Sequence, residues 1–347
     1  MKAFKLILGA VVFFALLGGL LEAGFRRARV PHDALIYQDS LDPALRFELK
    51  PGAEGSKLGA WVSISSQGLR EREISQEKPA DEFRIAVVGD HPGFGLTVPV
   101  EKTFARLLEN LVKAPAGLTL RTINLSNYVY GAEQKEAFLA KRGLGFQPDL
   151  VLFQVFPGDW KELPQAKYPY PSFKNFLRSH SQFLRRVMER LYWRHEPVRP
   201  AALDLPKMDM AICRLKDLLR ARQIPALVLY VPDLSAPGGP ESPEAKKVET
   251  AYREVCRANG LPYVDMTPAL SSDTPSALLS DRKYPYLNAS GQSKVAQTLA
   301  SRLQLPLRSM LLAKQKAKPA GLPQPAEVDR GRRFQLEIFQ KHFLIRK

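Results

Sequence analysis

Phe83-Arg-Ile-Ala-Val-Val-Gly-Asp-His-Pro-Gly-Phe-Gly95 is the stretch whose reading decides the fold. Its first half is β-branched and apolar, carries one charge at Arg84 and stops at Gly89, which predicts a buried strand. A Gly-rich turn follows, and a helix is predicted from about Thr103 to Lys113. Strand, tight turn and helix in that order form the repeating unit of a parallel sheet. Open α/β sheets carry their chemistry at the carboxyl ends of such strands. Asp90 and His91 fall there and are the first candidate site residues.

Working outward, the pattern repeats. Leu118–Asn124 reads as a second strand, followed by a helix to about Arg142, and Pro148–Val155 is the strongest strand signal in the chain, broken by Phe156-Pro157-Gly158-Asp159. A helix from about Met208 to Arg222, a strand over Pro225–Val231 and a loop at Pro232-Asp233 come next. A helix over Ala245–Ala258 and a fifth strand at Leu261–Asp265 follow. The last core helix opens at Tyr286–Ala296 and is expected to end near Leu303, with Ser290 as its cap or early-turn residue. Strands alternating with helices predict a doubly wound parallel sheet.

Upstream, residues 30–82 form a polar, turn-rich lead-in, with a short strand or hairpin around Trp61–Ser65. Within the core region, 83–312, residues 160–205 are an insertion. There Phe173, Phe176, Leu177, Phe183, Leu184, Val187, Met188 and Leu191 recur at helical spacing opposite Lys174, Arg178, Arg185, Arg186 and Arg190. Two readings stand: a core-packed helix with a solvated basic face, or a helix laid against a membrane or partner. His180 and His195 belong to its packing or solvent faces. Residues 313–347 read as a basic linker and a tail that docks on the domain, a membrane or a partner.

The amino end, 1–29, contains an apolar run from Leu6 to Gly24 between Lys2 and Lys5 on one side and Arg26, Arg27 and Arg29 on the other. Spanning a bilayer takes about 20 such residues. An uncleaved anchor is favoured over a signal peptide, with Glu22 at the membrane interface; the basic residues on both sides leave orientation open. The net charge of +16 and a composition 45% hydrophobic fit one sizeable α/β core whose partner is an anionic lipid surface or an acidic polysaccharide. No nucleic-acid-binding signature accompanies that charge. Cys213 and Cys256 read as buried thiols, with a single disulfide as the alternative, and no metal-type cysteine spacing exists.

Val88-Gly89-Asp90, the glycine turn and a helix over Phe104–Leu111 resemble the first block of the SGNH/GDSL hydrolases, in which Gly-Asp-Ser presents the nucleophilic serine. His91 occupies the serine's place. The family's second block is similar to the segment in which Asn124, Leu125, Tyr130, Gly131 and Gln134 set the register, so Val129 falls on the donor glycine. Its third block, Gly-x-Asn-Asp, corresponds to Phe156–Asp159, with Gly158 at the asparagine. Its last block, Asp-x-x-His, corresponds to Lys283-Tyr-Pro-Tyr286, placing Lys283 at the acid and Tyr286 at the histidine. Ser65–Arg70 also resembles the Asn-x-x-Gly-x-Arg segment of anchored family members.

The resemblance covers roughly residues 83–160 and 208–303. It implies a three-layer α/β/α fold around a five-stranded parallel sheet, SGNH-hydrolase or flavodoxin-like in winding. It transfers no catalytic residue. Ester hydrolysis needs a nucleophile, a base, an acid that orients the base, and donors for the oxyanion; losing one donor alone costs on the order of 10²–10³ in rate. No histidine lies between His195 and His342 to replace the base. The implied function is a non-catalytic binding or accessory protein of cell-envelope or exopolysaccharide processing, taking an acidic polysaccharide or acylated glycan and an envelope-assembly partner. The implied place is the cytoplasmic membrane, single-pass, with the main domain on the periplasmic side. The alternative is an active esterase or acyltransferase rebuilt around Asp90, His91 and Asp159. Pocket candidates are Asp90, His91, Asn127 and Tyr128, together with Asp159, Asp233, Tyr286 and Asn288; no cofactor and no metal site is expected.

Overall fold

The structure is a computed structural model that describes residues 2–27, 36–57, 60–128, 130–157, 159, 181, 183–184, 205–280, 286–316, 336–337 and 339. Helix α1 (Lys2–Arg27) is followed by two small antiparallel pairs, β1 (Tyr37–Asp39) with β2 (Phe47–Leu49) and β3 (Glu54–Lys57) with β4 (Ala60–Ser63). Within α1, Phe4–Gly24 has mean hydropathy 2.4 and none of its residues is buried. Its length and composition suit a membrane anchor and a signal sequence alike.

The main sheet contains β5 (Glu82–Val88), β6 (Thr119–Asn124), β7 (Leu150–Val155), β8 (Ala226–Tyr230) and β9 (Tyr263–Asp265), all parallel, in the order β6-β5-β7-β8-β9. The winding reverses between β5 and β7. A crevice opens at that point because the connections leave the two strands on opposite faces. The sheet is buried on both faces, which is why β5 and β7 read as largely apolar runs rather than alternating ones.

Side chains nevertheless alternate between layers. Ile85 and Val87 pack with α3 (Phe104–Leu111) and the last helix, while Ala86 and Val88 face the layer of α4 (Ala132–Lys141), α5 (Leu205–Arg220) and α6 (Pro243–Ala258). Arg84, one of two charged residues in β5, is fully buried. Its guanidinium meets Glu82 at 2.5 Å and donates to the Phe146 carbonyl at 2.8 Å, so its charge and donors are matched.

The last helix, α7 (Ala289–Lys316), runs well past its expected end at Leu303. Leu303, Leu307, Met310 and Leu311 continue the apolar stripe and are buried against the α3 layer, and this packing outweighs Pro306 inside the helix. Its cap is Asn288, whose Oδ1 accepts from the Ser290 and Gly291 amides at 2.9 and 3.0 Å, and Ser290 is an early-turn residue. Cys213 and Cys256 are free thiols, Cys256 buried as expected and Cys213 only half-buried. The expected insertion helix lies outside the described residues apart from 181 and 183–184, as do His180 and His195.

Beyond α7, Phe339 is buried in the same layer, 1% exposed, so this part of the tail docks on the domain. Phe339→Ala is expected to lower stability by about 3–5 kcal/mol. Denaturant titration of the full chain checks it, and an unchanged midpoint would show that the tail does not contribute to the core.

Candidate functional site

The turn after β5 is compressed against its neighbours, and three glycines are the reason it fits. A Cβ on Gly89 would lie 2.4 Å from Gln154 Oε1, and one on Gly93 would lie 2.3 Å from Ser126 Oγ. Gly95 has φ +69°, where a side chain is strained. The short helix α2 (His91–Phe94) sits inside this turn.

Side chains from four other parts of the chain hold it. Gln154 Oε1, from β7, accepts from the Asp90 and Gly93 amides at 3.0 and 3.3 Å. Asn124 Nδ2 donates to the Gly93 carbonyl at 2.9 Å, and Gln292 Nε2 from α7 donates to that of Pro92 at 3.0 Å. The buried Arg70 guanidinium donates to the carbonyls of Phe94, Gly95 and Val98 and lies 4.9 Å over the Phe94 ring. The Ser65–Arg70 segment thus joins the lead-in to the site.

Below the turn lies a buried charge cluster. Lys135, on α4 and fully buried, places its Nζ 2.7 Å from both Asp159 oxygens, 3.1 Å from the Gln154 carbonyl and 4.0 Å from Asp90 Oδ2. Asp159 also closes its own turn, accepting from the Phe156 amide at 3.1 Å. Asp90 Oδ2 lies 3.5 Å from His91 Nδ1, and its other oxygen is buried without a hydrogen bond. Burial works to raise the Asp90 carboxyl, but Lys135 and then His91 outweigh it and hold the group at about 2. For Asp159 burial wins, pushing it well above the usual carboxylate range against the pull of Lys135. Lys135 and the neighbouring Asp90 carboxylate act on the Asp159 proton in opposite directions. Two carboxylates sharing one ammonium titrate together, so the cluster's charge belongs to the group as a whole.

Above Asp90, the His91 side chain is 17% exposed and stands at the mouth of the site. Its ring meets Phe156 edge-on at 4.2 Å between centroids and Tyr286 at 5.0 Å. The register drawn from the last block therefore brings Tyr286 beside His91. Tyr128 packs on Phe94 and Tyr37, and Asn127 accepts from the Tyr37 hydroxyl at 2.7 Å, so the lead-in walls one side.

Two pocket candidates are used elsewhere. Asn288 caps α7 and donates to the Ala277 and Leu279 carbonyls, because a helix of that length needs its first amides satisfied. Asp233 accepts from the Ser235 amide and hydroxyl in its own loop. Val129, Gly158 and Lys283 lie outside the described residues. Among the described residues no group of three or more His, Cys, Asp and Glu could hold a metal ion. A separate cavity of about 630 Å³, lined in part by Lys102, Asp273, Ser293 and Lys294, shares no residue with the cluster.

Lys135, Gln154 and Gln292 were not singled out by the sequence reading, although signals existed for two of them. Lys135 falls on the buried stripe of Ala132, Phe138 and Leu139, and Gln154 is the one polar residue in Leu150–Val155. A polar group at an apolar position marks a satisfied network or a site.

No family model matches the chain, and no curated protein matches it. Structural neighbours do exist. One is a lipolytic protein of the G-D-S-L family from Desulfitobacterium hafniense, at 12% identity and TM-score 0.41 over 63% of this chain and 98% of that one. Another is a lipase/acylhydrolase from Enterococcus faecalis, at 13% and 0.42 over 64% and 95%. A third is an acetylxylan esterase from Geobacillus stearothermophilus, at 13% and 0.41 over 63% and 93%. At these values the likeness is to the course of the backbone. What the site can do rests on its own residues.

Lys135→Met leaves Asp159 and Asp90 without their cation and is expected to cost about 3–5 kcal/mol at pH 7. Without the ammonium both carboxyls bind protons more readily folded than unfolded, so stability is regained as pH falls toward about 4. Urea titrations of parent and variant at pH 7 and 5 check this. The variant's deficit should shrink at the lower pH, and a deficit independent of pH would mean the lost interaction is packing alone.

Proposed function

We propose that this chain is a membrane-anchored, SGNH/GDSL-hydrolase-like protein that binds an acidic or acylated polysaccharide without hydrolysing it, as an accessory component of cell-envelope or exopolysaccharide processing. The observation that carries this reading is the pair His91–Tyr286, with ring centroids 5.0 Å apart. Hydrolysis on this scaffold requires a hydroxyl nucleophile hydrogen-bonded to an imidazole base. Here an imidazole occupies the nucleophile's position and a phenol the base's. Tyrosine has an ordinary value near 10 and is a poor acceptor of a proton at neutral pH.

His91, Phe156 and Tyr286 instead bring three rings together, the kind of surface on which a saccharide ring packs. The glycan class, the periplasmic placement and an envelope-assembly partner follow from the resemblance to anchored SGNH/GDSL members, and the charge of +16 supports an acidic ligand.

A second reading has its own observation. Asp90 Oδ2 lies 3.5 Å from His91 Nδ1, which leaves the other ring nitrogen as the one that would act on a substrate. In that arrangement His91 would serve as a general base for ester hydrolysis or acyl transfer, with Asp90 orienting it and Lys135 and Asp159 beneath.

The full chain in detergent, assayed with short p-nitrophenyl esters and a fluorophosphonate probe, separates the two. Neither turnover above background nor serine labelling is expected, together with retained binding of an acidic glycan that His91→Ala weakens about tenfold. Ester turnover abolished by His91→Ala would establish the second reading instead.

A further inference from the structure

The cavity of about 630 Å³ belongs to a different set of residues from the His91 cluster, yet the chain joins the two closely. Its volume falls inside the range of roughly 300–1,000 Å³ that small-ligand sites occupy. Leu107 of α3 and Leu278 of the helical turn Pro275–Leu278 give it apolar walls, and the opening turns of α7 add Ser293 and Lys294. Lys102, in the 3₁₀ turn Val100–Lys102 before α3, completes the lining on that side.

The charges on these walls do not cancel. Lys294 pairs with the Asp273 carboxylate and donates to the Ser272 hydroxyl at 2.7 Å, so its ammonium is matched. Lys102 is exposed and has no ion pair among the described residues. Two ammoniums against one carboxylate leave the cavity one positive charge in excess. The Ser293 hydroxyl accepts from Gln297 Nε2 at 3.2 Å, which leaves its proton for an incoming acceptor. An unmatched ammonium, a hydroxyl donor and leucine walls suit a ligand with an anionic group on a partly apolar ring, which is the chemistry of a sugar acid.

The cavity wall is bonded to the segment that carries Tyr286. Leu279 and Leu287 form an antiparallel bridge, the Asn288 amide donates to the Leu278 carbonyl at 2.8 Å, and the Ser280 amide donates to that of Tyr286 at 2.9 Å. The Thr97 hydroxyl, just past the turn that carries His91, donates to the Leu287 carbonyl at 3.0 Å. Tyr286 and Ala289, which lines the cavity, are three residues apart, so their main chains lie within about 11 Å of one another. One oligosaccharide can reach both places.

We propose that this cavity is a second subsite for the glycan, in which Lys102 takes the carboxylate of an acidic sugar unit while another unit of the same chain lies on His91 and Tyr286. The proposal rests on the reading of the protein as a binder of acidic polysaccharide, and it names the acid as a sugar carboxylate.

The test is isothermal titration calorimetry on the full chain in detergent. The ligands are a galacturonic acid hexamer, the same hexamer with its carboxyls methyl-esterified, and inorganic phosphate. Lys102→Ala is expected to weaken the acidic hexamer about tenfold, the loss of one charge-assisted hydrogen bond, and to leave the esterified hexamer unchanged. Lys102→Arg should bind as the parent does, and His91→Ala should weaken both hexamers.

An acidic hexamer weakened by His91→Ala but not by Lys102→Ala would overturn the subsite and leave the glycan reading standing. Binding of neither hexamer would overturn the glycan reading and the subsite with it. Equal weakening of both hexamers by Lys102→Ala would remove the carboxylate as the group recognised. Phosphate bound as tightly as the acidic hexamer, and lost with Lys102→Ala, would make the cavity a site for free anions and overturn the proposal.

Discussion

A single buried ammonium ties the carboxyl edge of the sheet together. Lys135 comes from α4, yet its nitrogen reaches Asp159 after β7, the main chain of Gln154 within β7, and the vicinity of Asp90 after β5. A charge with no exposure is tolerable only if its donors are satisfied and its counter-charge is adjacent. Asp159 and the Gln154 carbonyl meet that requirement. The consequence is geometric: the loops after β5 and β7, which flank the crevice where the winding reverses, are fixed relative to one another by one side chain.

The turn that carries His91 is built on the same logic with neutral partners. Gln154 holds it from the side of β7, Asn124 from β6, Gln292 from α7 and Arg70 from the lead-in. The lead-in hairpins are thus part of the site's architecture. Val62 and Ile64 from β4 and its flank pack with Phe94 and Leu96, and Tyr37 anchors Asn127. The main chain at residue 91 is thus positioned by side chains other than its own.

The aromatic surface above the cluster follows from these constraints. With Phe156 at 4.2 Å and Tyr286 at 5.0 Å, His91 has rings on two sides and Asp90 beneath. The imidazole is therefore oriented without a serine or a second histidine. An oriented imidazole, mostly buried but open at its tip among aromatic side chains, suits ligand contact, and the buried charges below it keep the floor of the site polar and rigid.

Much of this architecture was legible in the sequence because its cause is local. The apolar runs at Phe83–Val88 and Pro148–Val155, the glycines at 89, 93 and 95, and the helical stripes between them set element type and order through side-chain period and backbone freedom, which act over a few residues. The same local signals placed Asp90, His91 and Asp159 at strand ends. They failed at the close of α7, where burial of Leu307 and Met310 against α3 carried the helix through Pro306. Local signals also could not show that Asn288 is occupied with capping, that Lys135 is the counter-charge of Asp159, or that Arg70 clamps a turn many residues downstream. Those facts depend on which strands become neighbours, and sheet order is decided by tertiary packing of apolar layers. The sequence by itself determined the elements and the positions from which chemistry could be presented; only the folded chain decided which charges share a buried space, because a buried ammonium is stable solely where distant segments bring carboxylates to it.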